Sequence, residues 1–460
     1  MTYSFTFDAT FCSGCKACQA ACKDKNNLPV GVLWRRVYEV SGGAWQKEGE
    51  AWHNTVFAYN LSIACNHCIH PKCAGVCPTN AYQVREDGIV ILDTSKCMGC
   101  GYCAWACPYG VPQYHPEAGV MTKCNLCFDN LEQGLSPACV AACPMRALDY
   151  QDVPEGGSLT DNRMKLWQFS AGEHPFPLPA YSRTQPRLAI RPHPAMKTAA
   201  EKTIANHEEI QPRPPSKWEE APLIAFTLLV QMAVGMYGMM TLTSFPLFPS
   251  LLVGLCLAAG MFAAFTHLGN KKNAWRAMGQ LGRSRISDEI FSLILFSVGW
   301  LTTMALIISG FAPEPGVFVI TTMCGGYLIH NMAEVYRLPA ATRWNTRRTN
   351  LGFLASTLLL GSSAMAIQWV RSLPGFWIIA NSLTLILLLL QLGLLDRESY
   401  RSPWRLIRTS LLSLGAILAL MNSLRLFSDP VPASALLLLV VLVEETIGRW
   451  LFYRFRTEHS

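Results

Sequence analysis

Charge is what this 460-residue sequence has least of. Only 15% of its residues are Asp, Glu, Lys or Arg, against about 25% in an ordinary soluble domain, while 51% are hydrophobic. That composition excludes a disordered chain, and its unevenness excludes one large soluble domain. Residues 1–220 hold 20 Lys and Arg against 21 Asp and Glu, a net of −1; residues 221–460 hold 18 against 10, a net of +8. The overall +7 is therefore not a nucleic-acid footprint, because the excess lies between apolar segments, as in membrane proteins. An export leader is also missing from the opening residues MTYSFTFDATFC, which show no basic start, apolar core or twin arginine. A secreted disulfide framework is not expected on that ground. Cysteine is nevertheless abundant. Sixteen of the 18 lie between positions 12 and 143, and only Cys256 and Cys324 stand alone in apolar segments. The sixteen read as metal ligands.

They fall into four runs. Cys12, Cys15, Cys18 and Cys22 are spaced x2, x2, x3, and Cys97, Cys100, Cys103 and Cys107 repeat that pattern. Cys65, Cys68, Cys73 and Cys77 are spaced x2, x4, x3, and Cys124, Cys127, Cys139 and Cys143 are spaced x2, x11, x3. Proline follows the last cysteine in three of the runs, at Pro78, Pro108 and Pro144. Three closely spaced thiolates on a tight loop can wrap three corners of a cubane, and the displaced fourth points at another cluster, as in bacterial two-cluster ferredoxins. Zinc also takes paired C-x2-C units, but a zinc site would leave the last cysteine of each run unexplained. Four runs give four iron–sulfur clusters with every thiolate used. His67, His70 and His115 are then surface or loop histidines, and the pair Arg35–Arg36 has an equally ordinary reading.

The order of the runs, WRRVYEV after the first, ACNHCIHPKCAGVCPTNA around the second, KCMGCGYCAWACPYGVP, and the later LPAYSRTQPRLAIRPHP resemble the iron–sulfur subunit of the dimethyl sulfoxide reductase family. The resemblance implies that the first and fourth runs pair, giving Cys12/Cys15/Cys18 with Cys143 and Cys124/Cys127/Cys139 with Cys22. It also pairs the second and third runs, giving Cys65/Cys68/Cys73 with Cys107 and Cys97/Cys100/Cys103 with Cys77, the pair expected nearest the membrane. Some relatives replace a third-run cysteine and hold a three-iron cluster; all four are kept here, so four [4Fe–4S] centres are expected. Lys23 departs from the proline that usually follows a fourth cysteine.

The expected architecture is an α+β, ferredoxin-like (double two-cluster ferredoxin) domain over 1–150, followed by an all-α transmembrane bundle of eight helices over 221–460. Between them, residues 151–220 hold ten of the 28 prolines, which favours an extended arm over a core; Trp167, Leu188 and Ile190 give that arm something to bury against a partner. Apolar stretches of membrane-spanning length occupy 221–243, 247–268, 288–311, 316–333, 349–370, 375–395, 406–427 and 431–453. An even count returns the C-terminus to the side of the iron–sulfur half. Connections on that side, about 269–287, 332–348 and 396–408, hold 13 Lys and Arg, while those opposite hold Arg371 and Arg425. The positive-inside rule then puts the iron–sulfur half on the cytoplasmic face of a multi-pass inner-membrane protein.

Ionisable groups inside the apolar half mark function or pairing, because their burial is costly. His267, Glu289, His330, Glu334, Glu444 and Glu445 all fall toward the cluster-bearing side. A quinol gives up two electrons and two protons and needs an imidazole or carboxylate to accept a hydrogen bond and a proton; His267 with Glu289 meets that need. Glu334 and Glu445 read as interfacial groups paired with nearby arginines. Axial ligation of a haem by His267 and His330 is the rival reading. HLG, NAWRAMGQLGRSRISDEI and YRLPAATRWNT resemble the membrane anchor subunit of the same reductases. That likeness implies menaquinol oxidation at His267 and Glu289, and no haem. Two normally separate subunits would thus be fused. The implied role is an electron conduit serving a separate molybdopterin-containing catalytic subunit that reduces dimethyl sulfoxide or related S- or N-oxides. The alternative is the equivalent subunit of a polysulfide, thiosulfate or formate dehydrogenase-type complex. No catalytic residue for the terminal reduction is expected in this chain.

Overall fold

The structure is a computed structural model, and it describes residues 2–153, 178–179, 183–195, 220–243, 247–311, 314–394 and 403–454. The chain divides into two compact units, one of Met1–Arg213 with Gly269–Arg276, the other of Pro214–Leu268 with Ala277–Ser460.

In the first unit, alternating apolar residues make Thr2–Asp8 a strand that buries Phe5 and Phe7. It is the centre of a three-stranded sheet. Leu148–Val153 pairs with it antiparallel, Phe5 opposite Tyr150, and Leu188–Arg191 pairs parallel, Phe5 opposite Leu188. Residue 150 therefore lies inside a strand, and the proline-rich stretch after it supplies the sheet's third strand. Leu188 and Ile190 are buried in this unit's own core beside Phe5, Leu61 and Leu126, so the arm is laid over its own polypeptide; Trp167 lies outside the described residues. A ribbon of Arg36–Gly42 and Phe57–Ile63 packs on the same core. The remaining hairpins are short: Trp45–Glu48 with Ala51–Asn54, Tyr82–Val84 with Val90–Leu92, and Gln113–His115 with Val120–Thr122. Helices are shorter still. Ala17–Lys25, Lys72–Gly75, Tyr102–Ala106 and Ala138–Ala141 each begin at or just before the third cysteine of a run.

In the second unit, the described residues form eight long helices: Ala221–Met240, Leu247–His267, Arg285–Ile308, Pro315–Tyr336, Arg347–Ser372, Pro374–Leu394, Pro403–Ser423 and Pro430–Arg454. They coincide with the eight expected apolar stretches, shifted by a few residues. All but Pro315–Tyr336 are long and apolar enough to cross a membrane; that helix carries His330, Asn331 and Glu334 in its last turns. Proline opens four of the helices, where its missing N–H costs no intrahelical bond. The first and fifth are the most enclosed. They cross at glycines: a Cβ on Gly235 would sit 2.1 Å from the Thr357 carbonyl, and one on Gly361 2.4 Å from the Gly235 carbonyl carbon. Without a hydrophobic drive between helices in lipid, such close packing and interhelical hydrogen bonds hold the bundle. Among the latter, Ser362 and Thr384 hydroxyls meet at 2.8 Å, Gln231 donates to the Phe353 carbonyl at 2.8 Å, and buried Arg449 donates to Gln231 at 2.8 Å.

Candidate functional site

The sixteen cysteines gather in fours. Cys12 has Cys15, Cys18 and Cys143 as its electrostatic neighbours, and all four line one cavity of about 320 Å³ that opens to solvent. Cys22 neighbours Cys127 and Cys139, and Cys124 neighbours Cys22 and Cys139. Cys65, Cys68, Cys73 and Cys107 line a second cavity of about 390 Å³. Cys77 and Cys97 neighbour Cys100, and Cys103 neighbours both Cys97 and Cys100. In each group three cysteines come from one run and the fourth from another.

The groups also follow one another. Cys18 reaches Cys139, Cys124 reaches Cys65, and Cys103 reaches Cys73. The order through the unit is therefore Cys12/Cys15/Cys18/Cys143, then Cys22/Cys124/Cys127/Cys139, then Cys65/Cys68/Cys73/Cys107, then Cys77/Cys97/Cys100/Cys103.

The donor sets suit multi-iron clusters. Among the described residues, no three His, Cys, Asp or Glu side chains converge as they would on a single ion; the thiols surround a space instead. Burial pushes the Cys22 and Cys68 thiols up to about 12 and Cys107 to about 11. Thiols so placed do not ionise alone at neutral pH, and it is a bound cation that makes thiolates of them. Backbone amides are aimed at the sulfurs as well: Gly99 and Met121 donate to Cys97, Ala81 to Cys77, and Leu126 to Cys124, all at 3.4 Å. Such hydrogen bonds raise a cluster's potential. Local geometry follows from sequence here. Gly99 and Gly101 take φ of +73° and +75°, the left-handed turns that let the backbone wrap a cluster.

Arg35 and His67, and with them Lys123, are inside. Arg35 is 1% exposed. It donates to the Ser62 carbonyl and hydroxyl at 3.2 Å and lies 4.5 Å from the Phe5 ring centroid, with Cys18, Cys22, Cys124 and Cys139 as electrostatic neighbours. His67 is also 1% exposed; its Nδ1 accepts the Val90 N–H at 3.0 Å, and burial, with Lys123 nearby, holds it well below the usual imidazole range. Lys123 is buried, donating to the Val90 and Cys124 carbonyls. Arg35 and His67 do lie in loop segments, but not at the surface: the hydrophobic sheet and the cysteine loops close over them. His70 is exposed and His115 half-buried. The arm covers the second run: Ile69 and His70 N–H groups donate to Gln185 and Thr184 carbonyls at 3.0 Å, and Arg187 donates to the His67 carbonyl at 2.9 Å.

In the second unit, His267 is the last residue of its helix and half-buried. Glu289 is buried near the start of the next helix, which packs against the first, and its Oε1 has no hydrogen-bond partner among the described residues. Tyr336 and Tyr453 lie within its electrostatic reach, and their hydroxyls bond to each other. His330 is exposed. Glu334 accepts from Arg285, from Arg337 at 2.7 Å and from Asn350 at 3.1 Å, the expected arginine pairing. Glu444 pairs with Arg408 at 2.6 Å, whereas Glu445 accepts from Ser356 and Gln391 at 2.7 Å; these partners of Glu445 are neutral, not arginines.

Residues 56–153 match the 4Fe-4S dicluster domain family, and residues 215–394 match the DMSO reductase anchor subunit (DmsC) family. The B subunit of the anaerobic dimethyl sulfoxide reductase of Escherichia coli K12 is 44% identical over 210 residues, covering 45% of this sequence and 98% of that protein. This protein is a member of the dimethyl sulfoxide reductase iron–sulfur subunit family. Within that family, the Haemophilus influenzae B subunit is 43% identical over 42% of this sequence and 89% of its own length. The formate dehydrogenase iron-sulfur subunit of Wolinella succinogenes is 38% identical over 31% of this sequence and 78% of its own length. Here the iron–sulfur sequence continues into an anchor of the same reductases, so this is an iron–sulfur electron-transfer subunit and a multi-pass membrane anchor in one polypeptide.

Proposed function

We propose that this protein oxidises menaquinol in its helical unit and delivers the electrons, through four [4Fe–4S] centres, to a separate molybdopterin-containing catalytic subunit that reduces dimethyl sulfoxide or related S- or N-oxides. The observation that carries the proposal is the unbroken succession of four all-cysteine groups, each with a neighbour within reach. Cys12/Cys15/Cys18/Cys143, Cys22/Cys124/Cys127/Cys139, Cys65/Cys68/Cys73/Cys107 and Cys77/Cys97/Cys100/Cys103 would hold the clusters. When bound, these supply one-electron carriers, which is how a two-electron donor is emptied in single steps. His267 and Glu289 accept the two quinol protons, His267 through its imidazole and Glu289 through the oxygen that no described protein group occupies. A buried acceptor without a partner favours any ligand hydroxyl that can bond to it, because leaving it unmet is costly. The charge bias of the basic connections favours the cytoplasmic face for the iron–sulfur unit.

A thiosulfate- or formate-type assignment draws support from the likeness of the first half to such subunits, but the match of 215–394 to a DMSO reductase anchor favours the S-oxide reading. His267→Ala tests the quinol site. Menaquinol-analogue reduction of the iron–sulfur absorbance is expected to be lost, while dithionite still reduces every centre and iron content is unchanged. Undiminished quinol-driven reduction in that variant would remove His267 from the site.

A further inference from the structure

The third cysteine run is gripped from outside by a stretch far along the sequence. Gly269–Arg276 belongs to the first unit. Within it, Asn273 Nδ2 donates to the carbonyls of Ser95 at 2.7 Å and Cys97 at 3.0 Å, and the Asn270 N–H donates to the Met98 carbonyl at 3.0 Å. Three carbonyls at the mouth of the Cys97–Cys103 loop are thus satisfied from one short segment, while Gly99 and Met121 hold the Cys97 sulfur from the other side. Only glycine fits the seam. A Cβ on Gly269 would sit 2.2 Å from the Gly119 carbonyl oxygen and 2.6 Å from the Tyr114 hydroxyl; one on Gly99 would sit 2.3 Å from the Gly119 carbonyl oxygen. Gly119 itself has φ +66° and would meet the Gly269 carbonyl oxygen at 2.7 Å. Ordinary loop packing seldom needs three backbones interleaved without a side chain. His267 precedes the segment by two residues.

We propose that Gly269–Asn273 is a clasp that positions the Cys97 loop for electron entry, with Gly269 and Asn273 as positioning residues. The proposal rests on the quinol-oxidising reading for its consequence, and on the hydrogen bonds and glycine seam for its structure. An amide lost at position 273 frees two carbonyls on the loop, and a loop displaced on the ångström scale lengthens the electron's path, which slows tunnelling severalfold.

The test uses the full-length protein with its complex in membranes, as wild type, Asn273→Ala and Gly269→Val. Three quantities are measured: iron per polypeptide, amide exchange over residues 95–101, and stopped-flow reduction by a menaquinol analogue and by dithionite. Expected for Asn273→Ala are unchanged iron, faster exchange over 95–101, unchanged dithionite reduction and a menaquinol-driven rate down severalfold. Unchanged exchange would overturn the clasp, and faster exchange with an unaltered quinol rate would overturn its role in electron entry. If Gly269→Val loses iron, Asn273→Ala alone decides. A wild type that menaquinol does not reduce refutes the quinol reading instead, and the exchange data still judge the clasp.

Discussion

On the proposed assignment of one centre to each cysteine group, removing the charge of Arg35 should lower the potentials of two centres and leave the other two alone. The guanidinium is buried against Phe5 and neighbours Cys18, Cys22, Cys124 and Cys139, cysteines from the first two groups of the succession. Each added electron is negative charge placed near a fixed cation. At an effective dielectric of about 20 and a separation of about 8 Å, one unit charge is worth roughly 2 kcal/mol, which for a one-electron couple is about 90 mV. Arg35→Gln keeps a hydrogen-bonding side chain near Ser62 but loses the charge; Arg35→Lys keeps the charge and loses the planar fork. An EPR-monitored redox titration of both variants separates the contributions. Arg35→Gln should move the centres of Cys12/Cys15/Cys18/Cys143 and Cys22/Cys124/Cys127/Cys139 negative by several tens of millivolts to about 100 mV, Arg35→Lys by much less, and the Cys65 and Cys77 groups by little. Equal shifts in all four centres, or none in any, would refute the electrostatic reasoning.

If Cys103 is a ligand as proposed, Cys103→Ser should remove or convert one centre, read as a loss of iron and acid-labile sulfide and an altered EPR spectrum; a normal spectrum would contradict that role. Gly235→Val drives a branched side chain into the Thr357 carbonyl where the first and fifth helices cross, and should destabilise the bundle by about 1–3 kcal/mol. A detergent-solubilised thermal melt of the helical unit checks this, and an unshifted melt would mean that the crossing relaxes freely.

What could be read from sequence was whatever short-range spacing encodes. The cysteine runs carry their spacing in offsets of two and three residues, and the eight apolar stretches carry their length, so the helices of the second unit lie within a few residues of the expected stretches. The groups' succession was not legible, because Cys124 meeting Cys65 and Cys103 meeting Cys73 are products of tertiary folding. The burial of Arg35, His67 and Lys123 is a product of tertiary folding in the same way. A charged or basic residue is usually outside, and only the closure of strands 36–42 and 57–63 and the arm at 183–191 encloses them. One signal did exist: Arg35 stands directly before the strand Arg36–Gly42 and 13 residues after Cys22, where a cation has a use. The arm's prolines argue for an extended segment, but the parallel pairing of Leu188–Arg191 with the first strand, Phe5 opposite Leu188, joins distant parts of the sequence, which no local pattern reveals.

The prolines at 315, 374, 403 and 430 have a consequence for how the bundle meets lipid. Each sits where the helix begins, so none of these helices can recruit preceding residues as an extra turn without a steric clash. Their N-terminal lengths are fixed by covalent structure. In a thicker bilayer such a protein adapts by untilting or by thinning the lipid around it, not by growing its helices, and those four prolines act as a set of depth marks.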